Sequence, residues 1–206
     1  MGDFTISKEL VRAFQECQID YVILKRAAPS QFYKAIEKAK AVNPHGAYVT
    51  QHTVEEYKNM PHLFLSLDET AGVAITEDNN IVSIFNGGEQ RGLLKTLLPV
   101  AIESGGRKLD NYNSDRLSAM YELYGFVPIS KVEFDRNYAP DDWNYERDGC
   151  PDVVFWIHNG DTAPQVVYNL GEYLVCWDDV KPFPTYDDAM QYRDKLIDYI
   201  DKMECQ

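Results

Sequence analysis

The chain has 206 residues, 45% of them hydrophobic and 13% aromatic, which is enough to bury a good core as one domain with an extension. A formal charge of −13 repels phosphate backbones and argues against nucleic acid as a partner, while suiting cationic substrates or serving solubility alone. No apolar run approaches the roughly 20 residues that span a bilayer, and Met1-Gly2-Asp3-Phe4 opens no secretory signal, so no membrane association is expected. Cys17, Cys150, Cys176 and Cys205 are too scattered for a zinc ribbon or a redox pair, and the four histidines are equally dispersed, so no metal site is expected.

In chain order, Ser7 to Gln18 reads as an amphipathic helix capped by Ser7, with Leu10, Val11, Phe14 and Cys17 on one face. Tyr21 to Leu24 suits a short strand. A helix from Gln31 to about Ala41 carries Phe32, Ala35, Ile36 and Ala39, and Asn43-Pro44-His45-Gly46 breaks it. Tyr48 and Val49 read as extended. Thr53 and Glu56 form a capping box for a short helix. Leu63 to Leu67 and Ala71 to Thr76 then make an antiparallel pair across Asp68-Glu69-Thr70.

The stretch from Asn80 to Phe126 carries the most chemistry. Ile81, Val82, Ile84 and Phe85 form a buried strand, Asn86-Gly87-Gly88 ends it, and from Arg91 the apolar residues Leu93, Leu94, Leu97, Leu98, Ala101 and Ile102 recur at helical spacing. A strand that turns through glycine into a helix start presents backbone N–H groups and a positive dipole end to an anion. Arg91 and Lys95 add cationic side chains, although a tight strand-to-helix connection with ordinary surface charges has the same local pattern. Ser104-Gly105-Gly106 closes the helix, Lys108-Leu109-Asp110 reads as a strand, and a helix from Asp115 to Tyr124 ends at Gly125-Phe126.

This stretch resembles the acetyl-CoA-binding core of the GCN5-related N-acetyltransferases. That family follows its central strand with Gln/Arg-x-x-Gly-x-Gly/Ala, and here Glu89-Gln90-Arg91-Gly92-Leu93-Leu94 matches at the central Gly92, with Glu89 and Leu94 departing from the pattern. The family's later Tyr-x-x-x-Gly-Phe ending stands as Tyr121-Glu122-Leu123-Tyr124-Gly125-Phe126. The resemblance implies an α+β fold with a mixed, mostly antiparallel central sheet flanked by helices over residues 1–160. It implies acetyl-CoA as cofactor, with Gly88, Gln90, Arg91, Gly92, Leu93 and Lys95 at the pyrophosphate and Ile84, Phe85 and Asn86 beside the pantetheine arm. Tyr121 is then the general acid that protonates the coenzyme A thiolate, and a small-molecule or protein amine is the acceptor. On amphipathicity alone, Tyr121 reads equally well as a core aromatic beside Leu117, Met120 and Tyr124.

Beyond Phe126, Ile129 to Phe134 alternates as a strand, and Val153 to Ile157 reads as a buried one. Between them Asn137 to Gly149 is a long loop dense in aromatics and carboxylates. In the family this connection lies near the acceptor, so Trp143 and Tyr145 are candidate substrate contacts and Asp142 a candidate amine attractor; a surface loop pinned by its own aromatics is the competing expectation. Asp110 is the candidate general base, with Glu69 as alternative. The loop and its flanks also resemble acetyltransferase-like proteins of bacteriophages and prophages, which implies the cytoplasm of a bacterium or phage-infected host and leaves room for a non-catalytic interaction or assembly role. Residues 161–206 read as a ββα extension: a hairpin of Val166–Leu170 and Tyr173–Trp177, a prolyl linker Asp178–Pro184, and a helix capped by Thr185 and Asp188. It could cover the core, make a homodimer or dock a protein partner.

Overall fold

The computed structural model describes residues 6–160 and 180–204. They form an α+β architecture in two compact units, one running to Arg107 and one starting at Lys108.

In the first unit, helix α1 (Lys8–Glu16) starts where the Ser7 hydroxyl accepts from the Leu10 N–H, as expected. Strand β1 (Leu24–Arg26) begins three residues later than the apolar run Tyr21–Leu24 suggests. Helix α2 (Pro29–Val42) opens with Pro29 at a position that needs no N–H. Gly46–Tyr48 is a 3₁₀ turn, so of the two residues expected to be extended Val49 is and Tyr48 is not. Helix α3 (Val54–Lys58) carries the complete Thr53/Glu56 capping box.

Strands β2 (His62–Ser66), β3 (Ala71–Ile75) and β4 (Ile81–Asn86) complete an antiparallel sheet in the order β1-β2-β3-β4, and helix α4 (Leu94–Glu103) follows β4. One face of this sheet packs on α2 and α3 through Phe32, Ile36, Tyr57, Leu63, Leu65 and Phe85. Phe64, Val73 and Ile75 alternate to the other face and are equally buried. Gly72 is where β3 meets Phe85: a Cβ there would stand 2.8 Å from the Phe85 ring and 2.6 Å from the Phe64 carbonyl oxygen.

In the second unit, strand β5 (Lys108–Tyr112), helix α5 (Asp115–Leu123) and strand β6 (Phe126–Val132) precede a long connection holding the short helix α6 (Tyr145–Asp148). Strand β7 (Val153–His158) returns between β5 and β6, antiparallel to both. The expected prolyl linker contains strand β8 (Lys181–Phe183), which pairs parallel to β6 and gives the order β5-β7-β6-β8. Pro182 is tolerated because, among the described residues, β8 lies at the sheet edge. Helix α7 (Tyr186–Glu204) follows, its first turn capped by Thr185 with Asp188. The expected hairpin at Val166–Leu170 and Tyr173–Trp177 lies outside the described residues.

Candidate functional site

Among the described residues strand β4 lies at the edge of its sheet, and it carries an extra residue. Gly72 pairs with Phe85 and Ala74 with Val82, so two residues of β4, Ser83 and Ile84, stand opposite Val73 alone. Ser83 holds a left-handed φ of +51°. A bulge shifts the alternation by one, which is why Val82 and Phe85, three apart, both face the α2 core. The Phe85 ring is buried against Phe32, leaving its backbone at the strand edge, while Ile84 and Asn86 are half-buried.

The Asn86 side chain organises the turn that follows. Its Nδ2 donates to the Gln90 carbonyl at 2.8 Å and its Oδ1 accepts from the Gly88 N–H at 2.9 Å. The Asn86 carbonyl accepts from Asn43 Nδ2 at 3.0 Å, and the Gly87 N–H donates to the Thr70 carbonyl at 2.8 Å. Gly88 therefore gives its N–H to the turn itself.

Helix α4 begins at Leu94, three residues beyond the expected Arg91, because Gly92 takes φ +78° and a left-handed residue cannot open a right-handed helix. No side chain caps it. Lys95 and Thr96 donate to the Gly92 and Leu93 carbonyls, so the orphan donors of the helix start lie at Gly92 to Leu94. Nothing stands within 4 Å of where a Gly92 Cβ would be. Arg91 and Lys95 flank this opening and are exposed, as is Gln90.

In the second unit, Tyr121 is buried on α5, its ring 5.7 Å from Trp156 and 6.1 Å from Phe126. Burial, with the Asp110 charge adding to it, pushes its phenol well above the ordinary tyrosine range. Tyr121 and Asp110 lie on opposite faces of the sheet. Trp156 pairs with Leu109 on the α5 face, whereas Asp110 pairs with Phe155, against which Tyr186 and Arg193 of α7 pack.

Asp110 sits in a charge network whose other members the sequence did not single out. The Arg193 guanidinium, 2% exposed, lies 4.0 Å from Asp110 Oδ1, donates through Nε to Asp194 Oδ1 at 2.9 Å, and reaches the Leu109 carbonyl at 3.3 Å. The buried Lys108 ammonium completes it at 3.1 Å from Asp194. Tyr186 is partly exposed, but its hydroxyl bonds Asp110, and the loss of water around that hydroxyl together with the carboxylate pushes it up. The available signal was the period: Lys108 and Asp110 alternate to one face of β5, and Arg193 lies four residues after the buried Ala189. Glu69, the alternative base, accepts from Lys25 Nζ at 2.7 Å and Gln31 Nε2 at 2.6 Å, and those two bonds hold its carboxyl low.

Of the loop candidates, Trp143 is buried, donates from Nε1 to the Gly149 carbonyl at 3.0 Å, and packs 4.5 Å from Tyr112 and 5.1 Å from Phe134. It closes its own loop. Tyr145 is partly exposed with the Arg136 guanidinium 4.8 Å over its ring, and Asp142 faces water. Among the described residues no three His, Cys, Asp or Glu side chains are grouped to hold a metal, and no helix is long and apolar enough to cross a membrane. No protein-family model, curated protein or solved structure matches this chain.

Proposed function

We propose that the protein is an acyl-CoA-dependent N-acetyltransferase of the GCN5-related type, moving an acetyl group from acetyl-CoA to an amine. The observation that carries this reading is the passage from β4 to α4. A bulged edge strand runs through a pinned turn to an uncapped helix start, open at Gly92 and flanked by Arg91 and Lys95. Such an opening suits a pyrophosphate, which can take up the orphan N–H groups and meet both cations. The strand orders β1-β2-β3-β4 and β5-β7-β6, and the Tyr121-to-Phe126 ending, are consistent with it.

In this reading a neutral amine attacks the thioester carbonyl, a C–N bond forms, and the C–S bond breaks. The proton lost by the amine leaves to water or a carboxylate, and the departing thiolate takes one from the Tyr121 phenol. An ordinary phenol is already protonated at neutral pH, and burial only raises Tyr121 further, so the proton is there to give. Trp143 supports the acceptor side by holding its loop, and Tyr145 and Asp142 are left for contact with the amine.

A second reading, a protein of this type that works by binding another protein, is favoured by one observation: the Gly88 N–H is spent on Asn86 rather than held ready for a ligand. Release of coenzyme A thiol in the presence of a panel of amines and cationic peptides separates the two. Turnover that falls about 10²-fold in Tyr121→Phe, with acetyl-CoA affinity retained, is the expected result. Acetyl-CoA binding without thiol release from any acceptor would favour the second reading.

A further inference from the structure

Ser83 is a buried, non-glycine residue in a left-handed conformation in the middle of a strand, a conformation that persists only where the surroundings enforce it. The enforcing contacts form one relay. Ser83 Oγ lies 2.9 Å from the Thr50 carbonyl, which can only accept, so the serine hydroxyl donates there. The Tyr57 hydroxyl, 3.0 Å away, then donates to Ser83 Oγ and itself accepts the His52 N–H at 3.2 Å. Tyr57 is fully buried and its ring stacks edge-on to Phe32 at 4.9 Å, so the position of its hydroxyl is fixed by the core.

The relay acts on the turn through the phase of β4. The extra residue decides which side of the strand each later residue takes. With the bulge, Phe85 faces the α2 core and Asn86 is left to bond Gly88 and Gln90; without it, the side chains of Phe85 and Asn86 would exchange faces. We infer that Tyr57 and Ser83 are positioning residues for the anion-binding turn, holding the β4 bulge in the phase that lets Asn86 set the backbone from Gly87 to Gly92. This rests on the proposed reading of that turn as the seat of the acetyl-CoA pyrophosphate.

The test uses the full chain as Tyr57→Phe, which keeps the ring and removes the relay, with Ile36→Val as a core variant of the same apolar cluster that leaves the relay intact. Two quantities are measured: acetyl-CoA affinity by calorimetry, and the backbone amide resonances of Gly88 and Gly92 without ligand. The expected result is displaced Gly88 and Gly92 resonances and about tenfold weaker binding in Tyr57→Phe, the scale of one buried hydrogen bond transmitted to the site, and neither change in Ile36→Val. Equal affinities for wild type and Tyr57→Phe, or an equal loss in Ile36→Val, would overturn the inference. If the wild-type protein binds no acetyl-CoA, the proposed function fails, and the resonances alone decide the positioning role: unmoved Gly88 and Gly92 signals refute it, displaced ones uphold it.

Discussion

At the scale of single residues, close approach and hydrogen-bond direction decide what each position tolerates. Gly72 lies under the Phe85 ring and beside the Phe64 carbonyl, both closer than a methyl group allows. Gly72→Ala is expected to destabilise the first unit by about 1–3 kcal/mol in urea unfolding, the usual range for overpacking. Asp68 shows the same logic in protons. The Ser66 hydroxyl donates to its carboxylate at 2.5 Å, with Thr70 adding further bonds, and holds it below the ordinary carboxylate range. A carboxyl lowered in the folded state binds fewer protons there than in the unfolded chain. Its stabilisation is therefore present above about pH 4 and lost as pH falls through the folded value. Asp68→Asn should flatten the acid limb of a stability-against-pH curve and leave its slope between pH 6 and 8 unchanged.

At the scale of elements, α7 is fastened to the sheet by charge as much as by apolar contact. Arg193 stacks over Phe155, pairs with Asp194 and approaches Asp110, while the Ser130 hydroxyl donates to the Ala189 carbonyl at 3.1 Å. Removing one member of a buried network leaves the others unpaired, so Arg193→Ala is expected to cost about 3–5 kcal/mol, read as loss of α7 helicity and of cooperative unfolding of the second unit. Replacing Lys195, which is exposed on the same helix, should leave both unchanged. The elements themselves were largely legible, because capping and periodicity are local: Ser7, the Thr53/Glu56 box and the Thr185/Asp188 cap stand where the sequence puts them. Failures came where tertiary pairing overrides local pattern. Lys181–Phe183 pairs with β6 despite its proline, and Tyr21–Leu24 yields its place to the residues that find β2 as partner. The candidate site was legible only in outline. Gly92 and the cations were visible, whereas the bulge at Ser83, the Asn86 turn and the Arg193 network depend on partners far away in the chain.

At the scale of the whole molecule, both units hide phenols from water. Tyr57 in the first unit and Tyr121 in the second are both buried and pushed above the ordinary value of 10.0, chiefly by that burial. A raised acid stays neutral in the fold after the unfolded chain has ionised, so its contribution is complete below about pH 10 and lost as pH rises through the folded values. Unfolding is thus expected to set in above about pH 10, and Tyr121→Phe should shift the onset upward. In the proposed reading the opening at Gly92, between Arg91 and Lys95, seats the pyrophosphate of acetyl-CoA. Titration calorimetry of the wild-type protein and of Gly92→Trp with acetyl-CoA tests it most directly. Micromolar binding, about −8 kcal/mol, is expected for the wild type, with its loss in Gly92→Trp; no heat from the wild type, or equal affinity in the variant, would overturn the assignment.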